Sequence, residues 1–101
     1  MATKKAENTI RIELDKPIKF QGKDLDVIEI KVDELTGRDM MNARNIAIAK
    51  GDQAAELPIS MAYRLAVVQV ATGIPYDTLL EMSASSFNLL MRETMSFTVG
   101  E

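Results

Sequence analysis

From Thr9 onward the chain alternates. Ile10, Ile12 and Leu14 share one parity, and Thr9, Arg11 and Glu13 share the other. A period of two is the signature of a strand with one buried face. Asp15-Lys16-Pro17 interrupts the pattern and Ile18 and Phe20 resume it. Gln21-Gly22-Lys23-Asp24 then reads as a hairpin turn, with a glycine free to take positive φ. Leu25 to Val32 is the return strand, and its phase changes on the way. Leu25 and Val27 lie on one parity, while Ile28, Ile30 and Val32 lie on the other. A slip of one residue would turn the apolar set outward, so the spacing predicts a bulge or bend near Asp26-Val27.

After the hairpin (residues 9–34) the period becomes helical. Thr36 is a natural N-cap, with Asp39 in the first turn where its charge meets the positive helix end. Met40, Ala43 and Ala47, with Ile46 alongside, form an apolar stripe, and Gly51 is the expected stop. Gly51 to Glu56 reads as a loop, and Pro58 suits a first helical position. Ile59 to Thr72 is the most apolar helix. Val67, Val68 and Ala71 extend its apolar character almost all round, so it is either central or covered by a partner. Gly73 ends it, Pro75 opens a short helix running to Glu81 or Met82, and Ser83 caps a last helix from Ala84 to about Phe97. Asp77 and Ser83 are the expected acceptors for exposed N–H groups at those two starts. The expectation is an α+β chain, an N-terminal β-hairpin or small antiparallel sheet followed by three to four helices. One domain spans all 101 residues, with residues 36–98 helical and residues 1–8, mostly polar, frayed.

The chain has no His and no Cys, which removes the usual nucleophile–base pairs and soft-metal sites. Asp24 with Asp26, and Asp33 with Glu34, lack calcium-loop spacing, and no glycine-rich phosphate loop is present. No enzyme activity, metal or cofactor is therefore expected. The longest nearly apolar run, Leu65 to Ala71, is broken by Gln69 and is too short to cross a bilayer, so no membrane partner is expected. "VATGIPYDTLL" has a superficial helix-turn-helix look. Gln69 stands where that motif wants alanine, and the reading helix would offer Asp77 and Glu81 to phosphate with no cation. A nucleic-acid partner is not expected either.

Charge is uneven along the chain. Residues 1–52 carry ten basic and ten acidic side chains, whereas residues 53–101 carry only Arg64 and Arg92 against five acidic groups. A charge-poor half holding Met61, Met82, Met91 and Met95 suits contact with protein. Its apolar side chains exceed what one small core needs, which makes Val67, Val68, Met82, Phe87, Leu90, Met91 and Met95 candidates for a partner-binding surface. The competing reading is that these residues are simply core.

One order of motifs spans residues 9–98. It comprises the Lys16-Pro17-Ile18 turn, the Gly22 hairpin, the Thr36-Gly37-x-Asp39 helix start, the Gly73-Ile74-Pro75 corner and the Ser83 to Leu90 helix. In this order the chain resembles the tail assembly chaperones of long-tailed bacteriophages, and most of all their small Mu- and P2-type members. It departs at Ser86, where the family pattern leads us to expect an acidic residue. The resemblance implies a non-enzymatic protein of the bacterial host cytoplasm that coats the long, largely helical tape measure protein. It also implies self-association into a homo-oligomer, a frameshifted longer form that recruits the tail tube protein, and absence from the mature virion. A structural tail component of tube or terminator type is the alternative, and a small DNA-binding regulator a third.

Overall fold

The computed structural model of the chain describes residues 9–51 and 60–98. Two strands, β1 (Thr9–Phe20) and β2 (Lys23–Lys31), lead through a 3-10 turn (Val32–Glu34) into α1 (Gly37–Ala49). Then come α2 (Met61–Thr72), a single-turn α3 (Tyr76–Leu79) and α4 (Ala84–Thr98). The α+β arrangement is the one expected. The expected fraying of residues 1–8, most of the loop after Gly51 and the place of Pro58 lie outside the described residues.

The hairpin turn holds Gln21 at φ 56° and Gly22 at φ 78°, with Phe20 paired to Lys23. Two positive values in a two-residue loop make a type I′ turn, whose twist matches that of the strands. Thr9 to Glu13 pairs with Lys31 to Val27, and Ile18 to Phe20 pairs with Leu25 to Lys23. Leu14, Asp15, Lys16 and Pro17 therefore stand opposite Asp26 alone. The irregularity predicted near Asp26-Val27 is found, but its surplus residues belong to β1. Four residues against one is an odd excess, so parity on β2 flips there. That flip is why Leu25 faces the same side as Ile28 and Ile30. Pro17, with no N–H to give a ladder, sits in the unpaired stretch.

One face of the hairpin is apolar. Ile12, Leu14, Ile18, Ile28 and Ile30 pack with Leu65 and Val68 of α2, Ile74, Leu79 of α3, Met82, and Leu90 and Met91 of α4. Each fully buried Ile or Leu contributes about 1.5–3 kcal/mol. The outer face is wet and charged, with Arg11 between Glu13 (3.6 Å) and Glu29 (3.8 Å). A two-stranded sheet is marginal alone and needs such a helical cover.

The helix α2 is central. Five consecutive residues, Arg64 to Val68, are buried. Leu65 and Val68 face the hairpin, while Ala66 and Val67 meet Ala43 and Ala47 of α1. Three alanines at that crossing let two backbones approach closely. The N-cap predicted at Thr36 is present, and Asp39 completes a capping box, because Asp39 N–H donates to Thr36 Oγ1 at 3.1 Å and Thr36 N–H donates to Asp39 Oδ2 at 3.0 Å.

Candidate partner-binding surfaces

The corner after α2 is built from local donors and acceptors. Gly73 takes φ 82° as the left-handed cap of α2. Thr72 Oγ1 donates to Val68 C=O at 2.7 Å and accepts from Ile74 N–H at 3.1 Å. The start of α3 is satisfied from α2, because Tyr76 N–H donates to Gln69 Oε1 at 2.9 Å. Asp77, expected to cap α3, makes no cap hydrogen bond there and accepts instead from Lys50 Nζ at 3.2 Å. Lys50 also lies 5.2 Å from the Tyr76 ring centroid, which clips the end of α1 to α3. Gln69, which spoils the helix-turn-helix pattern, is thus a capping residue. The helix that would read a groove is only four residues long.

At the start of α4 Ser83 performs its expected role, since Ser86 N–H donates to Ser83 Oγ at 3.2 Å. Ser86 is buried. Its hydroxyl donates to Asp15 Oδ1 at 3.1 Å and accepts from Asp15 N–H at 3.2 Å. Ser83 and Ser85 donate to the same carboxylate at 2.5 and 3.2 Å. Hydrogen bonds from Ser83 and then Ser86 outweigh the opposing effect of desolvation and hold the Asp15 carboxyl below its ordinary pKa, with further help from Ser85 and the nearby Lys16 charge. The acidic group expected at position 86 is supplied from the bulged stretch of β1.

Arg64 carries a function that sequence reasoning passed over. Its guanidinium is buried and donates to the Met91 carbonyl at 2.6 Å, and Nε donates to Ser60 C=O at 3.4 Å. Burial lowers its pKa. The signal was available, as an arginine inside an otherwise apolar helix needs a polar partner for its head.

These positions bear on the candidate contact residues. Val67, Val68 and Leu90 have no exposed surface, and Met91 and Met82 keep 5% and 7%. The seven are not gathered into one face. Val67 packs on α1, whereas Val68, Met82, Leu90 and Met91 pack under the hairpin. Only Phe87 and Met95 remain half-buried. Five of the seven candidates from the charge-poor half are therefore buried in the isolated chain, those of α4 because a two-stranded sheet needs that helix as its cover. Among the described residues the exposed large apolar side chains are Met41 and Ile48 on α1, Met61 at the start of α2 and Leu80 after α3. Met41 and Ile48 lie seven apart on the side of α1 away from Ala43 and Ala47.

A groove of about 530 Å³ runs beside β2, between the strand and a wall formed by the start of α1 and the end of α2. Val27, Glu29 and Lys31 of β2 line it together with Leu35, Asp39 and Val70. No group of three or more carboxylates close enough to hold a metal ion occurs among the described residues. No helix among them is long and apolar enough to cross a membrane.

Residues 11–99 match the family described as phage tail assembly chaperone proteins, E, or 41 or 14. The chain belongs to that family. Comparison with curated proteins and with solved structures gives no match. The structural landmarks of this tail assembly chaperone all fall inside the matched span: the hairpin turn, the α1 capping box, the Gly73 corner and the Asp15–serine junction.

Proposed function

We propose that this tail assembly chaperone holds the tape measure protein soluble while the tail tube is built around it. It acts by binding alone, with no covalent bond made or broken. The family match over residues 11–99 is the observation that carries this reading. The surface is compatible with it. Met41, Ile48, Met61 and Leu80 are exposed apolar side chains, and Phe87 and Met95 are partly reachable on α4. Weak contacts of this kind, repeated along a homo-oligomer, would hold a long chain with apolar stripes by multivalency. A frameshifted longer form that brings in the tail tube protein, residence in the host cytoplasm and departure before the virion is complete belong to the same reading.

Co-expression tests it. The tape measure protein is expressed with and without this chain, its soluble fraction is measured, and a tagged copy of the chain is used for capture. Purified particles are then examined by mass spectrometry. The reading expects a soluble, captured tape measure protein and no chain in the particle. A tape measure protein equally soluble alone and not captured removes it. Stoichiometric presence in particles replaces it with a structural tail role.

A further inference from the structure

We propose that the free edge of β2 is a docking site for an extended, basic segment of the partner, which adds to the hairpin as a third strand. The inference rests on the chaperone reading for the partner's identity, but not for the geometry of the site.

Among the described residues β2 is bonded on one side only, to β1. In an antiparallel pair every second residue turns its N–H and C=O away from the neighbour, so β2 presents a row of backbone donors and acceptors. The groove lies along that row. Val27, Glu29 and Lys31 share one parity and Ile28 has the other, yet all four line it. Only a cleft that follows the edge of a strand touches both parities. The two edges of the sheet are not equivalent. β1 carries Pro17 and the surplus residues Leu14 to Pro17, and a proline with a bulge is a standard guard against edge pairing. β2, Lys23–Lys31, has no proline.

Charge selects the occupant. Among the described residues, Glu29, Glu34 and Asp39 line the groove with Lys31 as its one cation. Glu29 is loosely shared with Arg11 at 3.8 Å, and Asp39 is also the capping residue of α1. A second copy of this chain is a poor fit. Its β2 would set the same carboxylates face to face, and its β1 is interrupted. A partner segment of alternating apolar and basic residues fits better. Its backbone would bond to β2, its apolar side chains would meet half-buried Val27, Leu35 and Val70, and its Lys or Arg groups would meet the acidic rim. The bound segment is thus a strand, and not a helix laid in a groove.

Hydrogen–deuterium exchange on the intact chain tests the site with two short peptides, one alternating Val and Lys and one alternating Val and Glu. The Val/Lys peptide is expected to slow exchange at alternate amides of residues 23–31, and the Val/Glu peptide is not. The exposed double reversal Glu29→Lys with Glu34→Lys is expected to weaken the Val/Lys peptide roughly tenfold and to admit the Val/Glu peptide. No protection of β2, or protection indifferent to peptide charge, overturns the site. Two further outcomes separate the claims. Equal capture of the tape measure protein by wild type and the double reversal overturns the site and leaves the chaperone reading standing. Charge-selective protection of β2 without any capture of the tape measure protein supports the site and removes the chaperone reading.

Discussion

The Ser83 hydroxyl donates to Asp15 Oδ1 at 2.5 Å across 68 positions of sequence, joining the bulged stretch of β1 to the first turn of α4. Ser85 and Ser86 donate to the same carboxylate. One ion therefore sets how α4 lies on the hairpin, with the positive end of the helix beside it.

This junction predicts a pH dependence. Asp15 has a folded pKa below its ordinary value of 3.8. A depressed carboxylate gives stability that is present above the unfolded value and is lost as pH falls toward and through the folded one. Unfolding by urea should therefore show wild type losing stability below about pH 4 more steeply than Asp15→Asn. At neutral pH the variant should be the less stable of the two, and the gap should close in acid. Parallel profiles would show that the carboxylate charge is not what holds the junction.

Arg64 predicts a larger effect. Truncating it leaves the Met91 carbonyl without its 2.6 Å donor and removes a buried stem from the middle of α2. Arg64→Ala should cost about 2–4 kcal/mol, as expected for the loss of a buried hydrogen bond together with a cavity, although Thr94 Oγ1 still donates to the same carbonyl at 3.1 Å. Arg64→Lys should cost less, because one cationic donor remains. Chemical denaturation of both variants decides, and equal losses would mean that a retained stem and a single ammonium restore nothing, so that the planar guanidinium itself is what the site requires.

The two sides of α1 should answer differently to substitution. Ala43 and Ala47 have no exposed surface and touch Ala66 and Val67. Ala47→Leu should cost about 1–3 kcal/mol by overpacking. The pair Met41→Ser with Ile48→Ser, on the exposed side, should change stability by roughly 0.5 kcal/mol or less. If that side is a contact for the tape measure protein, the same pair should reduce capture. Undiminished capture by this folded variant would clear α1 of the role.

Much of the fold was legible because its signals are local. The Thr36 N-cap, the Gly22 turn, the Gly73 stop and the Ser83 cap each involve residues within a few positions of one another. What was not legible depends on distance. The flip of phase on β2 announced an irregularity, yet a pattern on one strand cannot say which strand holds the surplus residues. Gln69 and Asp15 act on positions 7 and 71 residues away, Tyr76 and Ser86 respectively. The candidate contact set illustrates the same limit. Leu90 and Met91 look like surplus until the hairpin is seen to need them. For that reason Leu90→Asp or Met91→Asp would report unfolding before it reported a lost partner, and the exposed residues of α1 are the better probe.

The hairpin turn offers a stabilising change. Gln21 sits at φ 56°, a left-handed conformation that costs an ordinary L-residue roughly 1–2 kcal/mol. Asparagine tolerates that region, and Asn-Gly is the preferred pair for a type I′ turn. Gln21 is exposed, so a shorter side chain there disturbs little packing. Gln21→Asn should raise stability by about 0.5–1 kcal/mol, which for a chain of this size is a rise in Tm of a few degrees. Gln21→Val should lower it, since a β-branched residue is least at home at positive φ. Thermal unfolding of the three proteins side by side checks the order Asn, Gln, Val. Any other order would mean that the turn relaxes out of the I′ conformation in solution.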